Sequence, residues 1–114
     1  MANTFKSYTK ASVTDGLTDI YTAPGATTSI IIGIALANRL DNGNTVYADV
    51  KIDKATGDDV FLIRNVPLYD GAAFTFVDTG KIILETGDKL QAISDTASSV
   101  DIIVSVLEQT WGKT

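Results

Sequence analysis

Between Val46 and Asp53 apolar and non-apolar positions alternate without a break: Val46, Ala48, Val50 and Ile52 against Tyr47, Asp49, Lys51 and Asp53. A period of two sends successive side chains to opposite faces of an extended chain, so this segment predicts a strand buried on one side. The segment from Thr28 to Asn38 differs, because both of its alternating sets are apolar. Ile30, Ile32, Ile34 and Leu36 form one set; Ile31, Gly33, Ala35 and Ala37 form the other. Both faces of such a strand are expected to be covered, and the small residues of the second set let another sheet or subunit approach the backbone closely. Near the C-terminus, Ile102, Val104 and Val106 alternate with Ile103, Ser105 and Leu107, a β-branched run suited to a central strand. Ile32 and Val104, at the centres of the two most apolar strands, are expected to be fully buried.

Shorter runs at Thr18 to Thr22, Asp59 to Val66, Ala73 to Val77, Lys81 to Glu85 and Lys89 to Ser94 complete the set. Turn signals separate them: Pro24-Gly25, Asn42-Gly43, Thr56-Gly57-Asp58, Asp70-Gly71, Thr79-Gly80 and Thr86-Gly87-Asp88. Glycine reaches positive φ without a steric penalty, and Asn-Gly suits a two-residue hairpin, so antiparallel hairpins are expected. Only Ser94 to Ser99 has room for a helical turn. Short strands at this spacing, with no helical period long enough for a crossover, predict an all-β antiparallel sandwich, jelly-roll-like, of about eight strands. The expected organisation is a single domain over residues 1–114, with 1–11 as an N-terminal arm and 109–114 as a C-terminal tail.

Composition narrows what such a domain does. The chain has 114 residues, 45% hydrophobic and 20% charged, the balance of a folded protein with one core. Nine Lys and Arg face fourteen Asp and Glu, for a formal charge of −5, and the basic residues are scattered from Lys6 to Lys113. That field repels phosphate backbones and anionic lipids, so neither nucleic acid nor membrane is expected as a partner. The most apolar stretch, Ile30 to Ala37, is far shorter than the roughly 20 residues of a membrane-spanning helix. The first residues lack the apolar core of a signal peptide, and use without secretion is expected.

His and Cys are both absent, which removes the usual neutral-pH base, the usual transition-metal ligands and the best nucleophile. Carboxylate pairs remain: Asp58 with Asp59, Asp49 with Asp53, and Glu85 with Asp88. Asp58 and Asp88 each follow a turn glycine, where a carboxylate caps backbone N–H groups, and Asp49 and Asp53 lie on the polar face of a strand. The stretch from Asp41 to Thr45 has its glycine in the third place and no closing Glu, so a hairpin is expected there and not a calcium loop. No glycine run opens a helix to cradle phosphate. The expectation is a non-enzyme with no cofactor and no metal. Trp111 stands out, because it lies beyond the last strong strand in a polar tail, where docking on a partner and packing over the end of the sandwich are both open.

Asp19-Ile20-Tyr21-Thr22-Ala23-Pro24, followed by Thr28 through Asn38, resembles small bacteriophage virion proteins with a "YTAP…TT…I…AN" pattern. Val66-Pro67-Leu68, then Gly80 to Leu90 with its Thr86-Gly87-Asp88 turn, then Ser98 to Glu108, is similar to the same family's second half. The likeness runs over roughly residues 12–110. It implies a β-sandwich of the head-decoration or head–tail accessory type, often assembled as a multimer on the particle, and it brings no active site. On this reading the protein is a virion component assembled in the host cytoplasm, with capsid decoration ahead of neck, tail or baseplate roles. A host-surface-binding module that uses the loops Leu40 to Asn44 or Tyr69 to Ala73 is the alternative. The expected partners are the chain itself, as a homotrimer, and the major capsid protein or another virion protein. Gly33, Ala35 and Ala37, joined by Phe5, Tyr8 and Trp111, which have no obvious internal partners, are the expected interface.

Overall fold

The computed structural model describes residues 2–76 and 82–110. Nine strands appear among the described residues: β1 (Ala2–Val13), β2 (Thr18–Thr22), β3 (Thr27–Asn38), β4 (Val46–Asp53), β5 (Val60–Leu68), β6 (Ala73–Phe76), β7 (Ile82–Leu84), β8 (Lys89–Ser94) and β9 (Val100–Thr110). They form two antiparallel sheets packed face to face. The five-stranded sheet runs β1-β9-β3-β6, with β7 pairing the other half of β3; the four-stranded sheet runs β2-β8-β4-β5. Among the described residues no helix is long and apolar enough to cross a membrane.

The core forms where the alternating patterns of the two sheets meet. Val46, Ala48, Val50 and Ile52 of β4 and Leu90 of β8 on one sheet, and Ile31, Ile34 and Leu36 of β3 and Ile102, Val104 and Val106 of β9 on the other, belong to one buried cluster. Val104 is fully buried, as its pattern predicts. Ile32 is not: it remains 39% exposed. The register between β3 and β9 slips between Ile31 and Gly33, a β-bulge that inserts one residue and inverts the parity of the strand. The inward set is therefore Ile31, Ile34 and Leu36, while Gly33, Ala35 and Ala37 share the outer face.

The turns lie where the sequence places them, but most of them join the two sheets. Pro24-Gly25, Asn42-Gly43, Asp70-Gly71 and Thr86-Gly87-Asp88 each carry the chain across the sandwich; among these signals only Thr56-Gly57-Asp58 closes a hairpin, between β4 and β5. Thr79-Gly80 lies outside the described residues. Residues 94–99 form a turn without helix, held by the Ser94–Ser99 hydroxyl contact at 2.5 Å and by Ser99 Oγ donating to the Thr96 carbonyl. The expected N-terminal arm is a strand: β1 pairs β9 from Ala2 to Val13, with a bulge between Lys10 and Val13. Of the expected tail, Gln109 and Thr110 continue β9.

Gly87 is one crossing that requires its residue type. Its φ is +89°, and a Cβ added there would meet the Ala55 Cβ at 3.0 Å. Gly87→Ala is expected to destabilise the protein by about 1–2 kcal/mol. Gly25→Ala, where a Cβ meets nothing within 4 Å, is expected to be near neutral. Urea-unfolding midpoints of the two variants check the contrast.

Candidate functional site

The two outer faces of the sandwich differ in chemistry. On the four-stranded sheet, alternation turns Asp49, Lys51 and Asp53 of β4, Lys89 and Gln91 of β8 and Asp19 of β2 outward. Lys51 pairs with Asp59 at 2.7 Å and Lys89 with Asp19 at 3.5 Å, and the exposed rings of Tyr47 and Phe61 lie among these charges, a mixed surface on which ion pairs predominate.

On the five-stranded sheet, directly paired residues share a face, and register gives its outer side row by row. A polar row of Asn3, Gln109 and Thr28 comes first, and next to it Phe5, Leu107, Ile30 and Ile83 form one continuous row across four strands. Phe5 is 74% and Ile83 56% exposed. The next row is Ser7, Ser105 and Gly33, beside the bulged Ile32; then come Thr9, Ile103, Ala35 and Thr75, and finally Asp101, Ala37 and Ala73. Over these last rows the small side chains leave a hollow of about 330 Å³, lined by Thr9, Ala11, Ala35, Ala37, Ala73 and Ile103 among others. A second hollow of about 260 Å³ adjoins it at Ile32, Gly33, Thr75 and Ser105. Among the described residues, Asp101 is the one charged side chain that register places on this face. It is already engaged, accepting from the Ser12 amide at 2.9 Å and from Arg39 at 3.2 Å. Lys10 and Asp101 also line the first hollow; apart from these two, the relief of ridge and hollow is made of apolar and uncharged polar side chains.

Inside the sandwich lies a polar cluster that the sequence reading did not single out. Glu108 is 4% exposed and its Oε2 accepts from the Tyr21 hydroxyl at 2.6 Å and the Tyr8 hydroxyl at 3.1 Å, while Oε1 pairs with Lys6 at 3.1 Å. Because Tyr21 spends its one proton on Glu108, the fully buried Ser29 is the donor in their 2.6 Å contact. The rings of Tyr8 and Tyr21 lie 4.6 Å apart. Burial alone would push the Glu108 carboxyl up, but hydrogen bonds from Tyr21, Lys6 and Tyr8 and the charge of Lys6 bring it below its ordinary value. Burial and the same carboxylate push the Tyr21 hydroxyl well above the usual tyrosine range. With every group satisfied and none lining either hollow, the cluster is an internal clamp between β1, β2, β3 and β9. One signal for it exists in the sequence: Glu108 continues the inward series 102, 104, 106 of β9.

The carboxylates weighed for chemistry have structural partners. Asp88 is buried and accepts from the Glu85 and Ala55 amides at 2.9 and 3.0 Å and from Lys54 at 2.5 Å, fastening its turn to the β4–β5 hairpin. Burial would raise it, yet these donors hold it below the usual carboxylate range. Asp53 sits beside Asp59 and not beside Asp49; the bond it shares with Asp59 pushes it up, while Lys51 holds Asp59 down. Asp49 accepts from the Asn65 amide at 2.6 Å. Among the described residues no group of three or more His, Cys, Asp or Glu is placed to hold a metal ion.

Of the residues expected at an interface, Phe5, Gly33, Ala35 and Ala37 come together on the outer face of the five-stranded sheet. Tyr8 does not join them. It lies at an inward position of β1 and has the internal partners Tyr21 and Glu108 that the sequence did not reveal. Trp111 lies outside the described residues. No protein-family model matches the chain, and no curated protein sequence matches it.

Proposed function

We propose that the protein is a structural subunit of a bacteriophage virion, a capsid decoration protein that stabilises the head by binding between capsomers. The observation that carries the assembly part is the nearly uncharged apolar outer face of the five-stranded sheet on a molecule of formal charge −5. A solvated monomer has no use for such a face, whereas a subunit in a symmetric particle has neighbours to cover it. The particle itself enters through the resemblance over residues 12–110. We read the sandwich further as a jelly roll, an architecture used by viral capsid proteins and by lectins. What supports this is the strand order: if β6 and β7, which share one edge of β3, count as a single interrupted strand, the orders become 1-8-3-6 and 2-7-4-5 over eight strands.

Purified particles test the proposal. Quantitative mass spectrometry is expected to find this chain at several hundred copies per virion. Three, six or twelve copies would move it to the neck, tail or baseplate, and its absence from particles would end the virion reading. A host-surface-binding module is the second reading, favoured by one observation. The loops Leu40 to Asn44 and Tyr69 to Ala73 meet at one end of the sandwich, where the Gly43 amide donates to Asp70 at 3.2 Å and Tyr69 is 63% exposed.

A further inference from the structure

We propose that the outer face of the five-stranded sheet is closed by the same face of a second copy of this chain. The two-fold axis lies in the interface and runs across the strands at the level of Gly33 and Ser105. The inference rests on the assembly reading above and names the partner of that face.

Three observations point to a second copy. The first is shape. The row of large side chains, Phe5, Leu107, Ile30 and Ile83, stands on one side of the Gly33–Ser105 level, and the hollow over Ala35, Ala37 and Ala73 lies on the other. Rotation about the stated axis keeps each strand over its counterpart and reverses its direction. It lays Ile30 of one copy over Ala35 of the other, Phe5 over Thr9 and Ile83 over Thr75 at the margin of the hollows. Each ridge enters the neighbour's hollow, and the two contacts are the same contact made twice, as an isologous interface requires.

The second is charge. Two copies at −5 each repel over most of their surface, and this face is where they meet without opposing like charges. Its charged residues, Asp101 and Lys10, both lie at the hollow end of the face, so the rotation carries the two copies' charges to opposite ends of the contact. The third is area. Four strand positions about 4.8 Å apart and the five rows from Asn3–Gln109–Thr28 to Asp101–Ala37–Ala73, about 6.8 Å apart, give about 650 Å² of sheet per copy. Two copies then bury about 1,300 Å², just above the lower bound of a specific interface, so the fit of ridge to hollow is necessary to the binding. A three-fold ring, the symmetry expected from sequence, needs two different patches per chain, whereas this face complements itself.

Sedimentation equilibrium of the full chain is expected to show a dimer. Ala35→Arg fills the hollow and Ile83→Arg charges the ridge; each is expected to raise the dimer dissociation constant at least about 100-fold. Tyr47→Arg, on the outer face of the other sheet, is expected to leave it unchanged. Circular dichroism and melting confirm that each variant is folded. Because the chain has no cysteine, Ser105→Cys carries a single spin label. A short label-to-label distance in the wild-type background supports the axis. A monomer, a trimer, a dimer indifferent to Ala35→Arg, or a long distance at Ser105 overturns the proposal. Pelleting with empty capsids separates this inference from the one beneath it. A monomer that pellets with capsids overturns the second copy and leaves the virion reading standing. A dimer with the expected sensitivities that neither pellets nor occurs in particles supports the second copy and overturns the virion reading.

Discussion

Truncating Ile31 to Ala is expected to lower the unfolding free energy by about 3–4 kcal/mol, whereas the same truncation at Ile32 lowers it by less than about 1 kcal/mol. The two residues are neighbours of identical chemistry, and only the bulge separates their fates. Ile31 lies opposite Val106 on the inner face and is fully buried, so removing its side chain leaves a cavity that two packed sheets cannot collapse around. Ile32 occupies the extra position of the bulge and keeps 39% of its surface in contact with solvent. In a regular β3, Ile30, Ile32, Ile34 and Leu36 would share a face, and Ile32 would be the costlier loss. Urea unfolding of both variants, at one low protein concentration so that self-association does not enter the comparison, distinguishes the two strands. A larger loss at Ile32 than at Ile31 would mean that the strand has no bulge.

The bulge also marks how far this fold is legible in the sequence. Where one face is buried and the other solvated, alternation alone suffices, and β4 begins and ends at the residues its pattern gives; β2 and β8, read from their spacing between turn signals, do so as well. In β3 both sets are apolar, so a shift of parity changes nothing visible in the pattern. The remaining signal was Gly33, since an isolated glycine inside a strand often accompanies a bulge. The turns show a second limit. Glycine reports that a backbone needs positive φ or room, as at Gly43, Gly71 and Gly87, but a chain crossing between sheets needs it as much as a hairpin does. Pairing is decided by residues distant in sequence, and β1 with β9 is the extreme case. With Lys6 and Lys10 in exposed positions β1 reads as a loose arm, yet it supplies one whole edge of the larger sheet.

The candidate face was legible in part for the same reasons. Gly33, Ala35 and Ala37 stand out in the sequence because small residues in a β-branched run have no local purpose, and Phe5 because it has no local core. The row of large side chains on the same face does not stand out. Phe5, Leu107, Ile30 and Ile83 come from four separate strands, and only the register aligns them into one row. Tyr8 was placed at the interface for want of a partner, and its partner, Glu108, lies 100 residues along the chain.

That carboxylate is the site of the other large effect. Glu108→Ala is expected to destabilise the protein by about 3 kcal/mol: it leaves the Tyr21 proton without an acceptor in a buried site and removes the partner of Lys6. Lys6 is half exposed and turns to water, which keeps the loss at the lower end for a broken buried pair. Glu108→Gln retains an acceptor for Tyr21 and is expected to lose about half as much. The same residue shapes the acid limb of stability. Its folded value is depressed below the ordinary 4.5, so its contribution is complete above that value and is lost as pH falls through the folded one. Asp88, Asp19 and Asp59 are depressed as well and titrate in the same region, so the wild-type profile alone does not isolate Glu108. The difference between wild type and Glu108→Gln does, and it is expected to be constant between about pH 5 and 10 and to shrink steadily below that range. At the other end the raised Lys6 and Tyr21 act in the opposite sense. Their contributions are whole below their ordinary values and fade as pH rises above about 10, where deprotonation removes first the charge and then the hydrogen bonds that Glu108 accepts. Denaturant titrations of the two proteins from pH 3 to 11 measure both limbs, and a difference that does not change with pH would mean that Glu108 is not held charged in the fold.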